Sequence, residues 1–453
     1  MMNETGETTE AVEVEVEQGE PADWPALDRV AFWLLVASLL WVAVSPGLAA
    51  LGGFGEWFLR ADLLFGWAAF ALVFIRARRA ARPVALLVAA IIAFGLAEIL
   101  TGVVTGTPLL VQAASFALYA FPLAILATVL LAPPPGRKVL LLVGLVLAFA
   151  FIQFPILAAT APFSTNPDFN RGTFVGLAVG FHLSGAVAGV GAIWLLGRME
   201  RVRSVLWSIP LLLSVFLTET RQVAALLPVV LGLSPALDLK RWVIRLIAPV
   251  LLVLLIVLSP RIEGISNTAG DRAANQVERA VIEPEGQRKI EGFVETAEAL
   301  AESPTNLLLG LGQGNSVGFL AQLGDQGIQS EEFGSSVGDT LGLQQSRVVD
   351  ELGPRLGYGS FANEFSSLGG LVGDLGLVGS LAFFVGLGSI GWLLIQVRGR
   401  NRGAVQALGL FYLAMGLIYI WWEQPALTLC IALLMGAGLL LARSDVEVAS
   451  EAK

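Results

Sequence analysis

The chain is poor in the residues that build most soluble active sites. It has one histidine, His182, and one cysteine, Cys430, among 453 residues. A lone cysteine inside an apolar run excludes an internal disulfide and a cysteine-based metal centre. A lone histidine excludes a histidine-rich metal site. Only 14% of the residues are charged, against about 25% in a soluble domain. With 55% hydrophobic residues and a mean hydropathy of +0.74, the missing charge points to lipid as the solvent. The opening residues do not read as a cleavable signal peptide. They carry Glu4, Glu7, Glu10, Glu13, Glu15, Glu17 and Glu20 with no Lys or Arg. Such a segment cannot bury enough apolar surface to order itself, so residues 1–29 read as a disordered acidic tail. The net charge of −9 comes largely from this tail and carries no information about partners.

What is present is a series of apolar runs. About 20 apolar residues cross a bilayer core as a helix. By that measure the sequence predicts an all-α integral membrane protein with about twelve spans: 30–51, 57–75, 83–101, 107–132, 138–160, 172–196, 203–218, 221–237, 241–259, 368–396, 404–421 and 425–442. The seventh and eighth flank Thr218-Glu219-Thr220-Arg221, with one re-entrant pair as the alternative to two full spans. Spans one to nine occupy 30–259, spans ten to twelve occupy 368–442, and 443–453 is a second tail. Between the two groups lies a polar stretch, 260–367, with glycines clustered at Gly310, Gly312 and Gly314 and again from Gly334 to Gly359. A polar segment this long between spans folds into something or carries a function.

Cytoplasmic turns of membrane proteins are enriched in Lys and Arg. With both tails inside, the inner turns hold Arg76, Arg78, Arg79 and Arg82; Arg137 and Lys138; Arg198, Arg201 and Arg203; Lys240 and Arg241; and Arg398, Arg400 and Arg402. The short outer turns hold only Arg60, Arg171 and Arg221. This pattern puts 260–367 outside the cytoplasm. Arg60 reads as a headgroup snorkeller. Arg221 opens an apolar helix after a tight turn, and a guanidinium there suits a phosphate in a bidentate way. Arg221 and Arg171, with arginines from the loop, are thus candidates for one anion site.

Within the loop, Ile290, Phe293, Val294, Ala297 and Leu300 recur at helical spacing. They predict an amphipathic helix over 286–302 with an acidic outer face, stopped by Ser303-Pro304. Leu307 to Asn315 reads as an apolar run into a Gly-rich turn, a type of turn that cradles phosphate, although no Gly-Lys-Ser/Thr follows it. Residues 322–360 read as a mobile flap. Of the ionisable groups inside spans, Glu98 lies near its helix end. His182 is expected about 15 Å into the sixth span, as an interhelical hydrogen-bonder.

Four stretches together resemble the O-antigen ligase / O-antigen polymerase family of integral-membrane glycosyltransferases. They are Arg171-Gly172-Thr173-Phe174; Thr218-Glu219-Thr220-Arg221; Arg288 with its helix, running on through Ser303-Pro304 to Gly314-Asn315; and Asn363-Glu364-Phe365 followed by Gly373-Asp374-Leu375-Gly376-Leu377-Val378-Gly379. The similarity spans about residues 140–440. The resemblance implies transfer or polymerisation of a glycan from an undecaprenyl-diphosphate-linked donor to a glycan acceptor in a bacterial inner membrane, with a chain-length regulator as a possible partner. No cofactor, metal or nucleic acid is implied. Carried over by position, Arg221 and Arg288, with Arg171, would bind the donor diphosphate. Where the family's ligases place a histidine, this chain has Ala362 or Phe365. That departure favours polymerase over ligase and leaves Glu364 and Asp374 as candidate catalytic carboxylates. The alternative is a polysaccharide transporter or a non-catalytic assembly partner of the same fold.

Overall fold

A computed structural model of the chain describes residues 24–52, 60–160, 171–174, 180–198, 202–218, 220–233, 284–318, 320–321, 343, 346–356, 366–418 and 421–451. Among the described residues the secondary structure is entirely helical. The ninth expected span (241–259), Glu364, and much of the expected flap lie outside them.

The order is α1 (Ala26–Gly52), α2 (Ala61–Val73), a 3-10 turn (Phe74–Arg79), α3 (Arg82–Thr105), α4 (Leu109–Tyr119), α5 (Phe121–Leu131), α6 (Gly136–Thr160), α7 (Gly180–Gly197), α8 (Val202–Leu217), α9 (Arg221–Leu233), α10 (Pro284–Ala301), α11 (Pro304–Leu309), α12 (Arg347–Leu356), α13 (Ser367–Gln396), α14 (Arg402–Ile418) and α15 (Pro425–Glu451). Five of these are long and apolar enough to cross a membrane: α1, α3, α6, α13 and the first part of α15. The fourth expected span is a bent pair. Helices α4 and α5 meet at Ala120 at 54°, and counting them as one crossing makes six. The stretch expected to hold the seventh and eighth spans is two short apolar helices, α8 and α9, of 16 and 13 residues.

Outward faces of the long helices are apolar. Leu96, Ile99 and Val103 of α3 and Leu381 and Ile395 of α13 are exposed, a pattern that fits a membrane protein, since lipid is no worse a solvent for Leu than the protein interior. Small residues set the helix contacts instead. A Cβ at Gly197 of α7 would run into the backbone of Ala404 in α14, and one at Gly386 of α13 would meet Leu123 of α5. The centre of the bundle is aromatic: Phe94, Tyr119, Phe383 and Trp422 form one connected group of rings, with centroids 5.2 to 6.3 Å apart.

The amphipathic helix exists as α10, but it buries a different face. Ile290, Val294 and Ala297 are exposed, while Gly292, Glu295, Thr296, Ala299 and Leu300 are buried. The cause is close approach to α13. A Cβ at Gly373 would collide with Thr296, and one at Gly369 would touch the Phe293 ring. Small residues therefore win the contact face, and the larger Ile290 and Val294 point away from it. Ser303 ends the connection as expected and caps α11, its hydroxyl accepting the Asn306 N–H at 3.0 Å. The expected flap is a folded wall in part. Helix α12 lies within it and buries Val348 and Val349, and Arg347 bridges Glu302 and Glu351 across its surface.

Candidate functional site

The four motif stretches meet in two pairs. The first pair forms on α7. In the turn 171–174, Gly172 has a φ of 56° and no room for a Cβ beside Gln153 of α6 and Ser184 of α7. Gln153 brackets the turn: its Nε2 donates to Thr173 Oγ1 at 2.9 Å, and its Oε1 accepts the Thr173 N–H at 3.1 Å. The Ser184 hydroxyl donates to the carbonyl of Arg171. The next residue, Gly185, lies against the hydroxyls of Thr218 and Thr220, which bond each other at 2.7 Å. Two consecutive residues of α7 thus hold the Arg171 turn and the turn that leads into Arg221. Helix α9 starts at Arg221, and Arg171 is half-buried. The side chains of Arg221 and Arg288 lie outside the described residues.

The second pair is the Gly-rich turn and the break in α13. Inside α13, Gly376 leaves helical geometry with a φ of 58°, a left-handed conformation that glycine takes at no steric cost. The break frees the carbonyls of Gly373 and Asp374, and these accept the N–H groups of Leu311 and Gly312 at 2.8 and 3.1 Å. The Asp374 carboxylate accepts the N–H groups of Gly314 and Ser316, each at 3.0 Å. The turn therefore does cradle an anion, and that anion is a side chain of the protein itself. Asp374 is 1% exposed. Both of its oxygens are engaged, which fits it to positioning the turn.

A second carboxylate enters from α3. The Ser115 hydroxyl donates to Glu98 Oε1 at 2.7 Å, and Gln313 Nε2 donates to Glu98 Oε2 at 2.6 Å. A buried carboxyl group is costly unless hydrogen-bonded, and here Ser115 and Gln313 supply the bonds. Glu98 also borders a cleft of about 550 Å³ between α2, α3 and α4, otherwise lined mainly by apolar residues such as Trp67, Ile92, Leu96 and Phe116.

The turn 421–424, between α14 and α15, connects the two pairs. The Trp421 ring meets His182 of α7 edge-on, centroids 6.2 Å apart. Two residues on, Glu423 accepts from the Ser367 hydroxyl at 2.8 Å, and that hydroxyl in turn accepts the Trp422 N–H at 3.1 Å. Tyr119 donates to the Ser367 carbonyl at 3.3 Å. His182 lies two residues from Ser184, whose hydroxyl reaches the Arg171 carbonyl, so the expected run of ten helical residues does not separate it from the 171–174 turn.

Sequence reasoning passed over Tyr119, Gln313, Ser367, Trp421 and Glu423. The usable signal was Trp421-Trp422-Glu423-Gln424, an acidic group in a tight turn between two apolar runs. No family model and no curated protein matches the chain.

Proposed function

We propose that this protein is an integral-membrane glycosyltransferase that transfers or polymerises a glycan from an undecaprenyl-diphosphate-linked donor in bacterial surface polysaccharide assembly. In this reading it crosses the inner membrane twelve times, with 260–367 outside. The observation that carries it is the pairing of the four motif stretches: the Arg171 and Arg221 turns on Ser184 and Gly185, and the Gly-rich turn on Asp374. The Gly-rich turn meets α3 at Glu98 and Thr101, the end opposite Arg82, which agrees with a loop on the far side from the arginine-rich turns. The apolar cleft ending at Glu98 fits a lipid tail beside that turn.

In the proposed reaction the guanidinium groups of Arg221, Arg288 and Arg171 hold the donor diphosphate. The acceptor oxygen attacks the anomeric carbon, the carbon–oxygen bond to diphosphate breaks, and its electron pair leaves with the diphosphate. The acceptor proton passes to Glu364, because Asp374 already has both oxygens occupied.

Arg221→Lys keeps the charge and loses the planar fork. Polymer amount and length, in cells that depend on this protein and with its membrane abundance checked by blot, should fall nearly as far for Arg221→Lys as for Arg221→Ala. Normal polymer from Arg221→Ala at normal abundance overturns the assignment. Glu364→Gln addresses the alternative, a transporter or non-catalytic assembly partner, which the commitment of Asp374 to the turn favours: turnover should drop while donor binding persists.

A further inference from the structure

At the other end of the bundle, cations from separate elements surround a pocket of about 390 Å³. Arg76 and Arg79 come from the 3-10 turn after α2, and Arg443 from α15. Val84 at the start of α3 and Leu130 and Leu131 at the end of α5 form its apolar floor. Three cations outside the pocket lie over aromatic rings. Arg82 lies over Trp392 at 5.8 Å, Lys138 over Trp33 at 5.5 Å, and Arg198 over Trp194 at 5.2 Å. Arg76 pairs with Asp28. Arg79 and Arg443 have no such partner among the described residues, although they share one cavity. Among the described residues, three guanidinium groups stand against one carboxylate at this pocket. Such a cluster repels itself unless an anion enters. Guanidinium forks match phosphate oxygens in geometry, and basic pockets between spans at the lipid boundary take anionic headgroups.

We propose that the pocket between Arg76, Arg79 and Arg443 binds a phosphate-bearing anion, with the headgroup of an anionic phospholipid as the source its apolar floor favours. The assignment is independent of the glycosyltransferase reading. A general excess of cations on one face of a membrane protein has a simpler origin in topology. What sets these three apart is convergence on one cavity with a floor for the first carbons of a lipid.

The test uses the full chain in detergent, with apparent affinities from native mass spectrometry for phosphatidylglycerol, phosphatidylcholine and inorganic phosphate. Phosphatidylglycerol should bind at least about ten-fold more tightly than phosphatidylcholine, since each arginine near an anionic headgroup contributes roughly a five-fold factor. Arg79→Gln with Arg443→Gln should weaken it about thirty-fold. Arg78→Gln with Arg398→Gln removes the same charge at the same end but outside the pocket, and should leave affinity within about three-fold. If the double pocket variant fails to fold, Arg443→Gln alone should cost roughly five-fold. Inorganic phosphate that competes at equal concentration identifies the free anion as the source, and phosphate that does not compete identifies the lipid. Equal binding of the two lipids, or equal losses from the pocket and control pairs, overturns the proposal.

Discussion

Removing the Asp374 carboxylate should loosen the Gly-rich turn before it does anything else. The two N–H groups it holds, on Gly314 and Ser316, are buried and sit at 3.0 Å from its oxygens. A hydrogen bond to a charged group contributes about 1.5–3 kcal/mol. At the low end the pair is worth about 3 kcal/mol, and since 1.4 kcal/mol is a factor of ten, Asp374→Ala should raise the local opening constant of the turn by about 150-fold. Asp374→Asn keeps one acceptor oxygen and turns an amide N–H toward the other donor, so it should fall between the two. Hydrogen exchange of peptides covering 310–318, measured in nanodiscs, reads this directly. Peptides from α6 serve as the internal reference and should not change. If exchange over 310–318 is unchanged in Asp374→Ala, the carboxylate does not hold the turn. If polymer synthesis is also lost in that variant, Asp374 takes part in the chemistry and Glu364 loses its place as sole proton acceptor.

The contact between α7 and the 218–220 turn leaves no space for a methyl group, so Gly185→Ala should destabilise the protein by about 1–3 kcal/mol. The thermal midpoint in detergent should drop, and adding Thr220→Ala should restore part of it; an unchanged midpoint would remove the contact from the account. A reporter active only in the cytoplasm and fused at Gln326 should stay silent if the proposed topology, with that segment outside, holds. A signal from it would reverse the topology and the proposed site with it.

The long spans were legible because continuous apolar runs need little context. The runs 83–101, 138–160, 368–396 and 425–442 coincide with α3, α6, α13 and α15 to within a few residues at most ends. The exception is the far end of α15, which continues to Glu451. The 107–132 run contains a bend that its composition does not announce, since both halves are uniformly apolar. The face of α10 was misread for a related reason. Periodicity reports which residues are greasy, whereas close packing on α13 selected which were small, and at a bilayer boundary those criteria separate. The site was legible only as fragments. Arg171, Arg221 and Asp374 stand out as candidates, but that Asp374 fills the Gly-rich turn depends on the break at Gly376, 62 residues after Gly314 in sequence. The roles of Glu98 and Glu423 rest on hydrogen bonds from Gln313 and Ser367, which no local pattern encodes.

Gly376 also decides where this protein could be cut and rejoined. Helix α13 looks like a single 30-residue span, and its first residue looks like the natural end of the polar segment. The hydrogen bonds say otherwise. Residues 367–375 are fastened to the Gly-rich turn through Asp374, Gly373 and Gly370, and only beyond the break does the helix belong wholly to the bundle. A chimera that exchanged the polar segment at residue 367 would separate the turn from the carboxylate that fills it. A junction placed after 376 would carry both together, so the module of the Gly-rich turn takes in the start of what hydropathy reads as one long span.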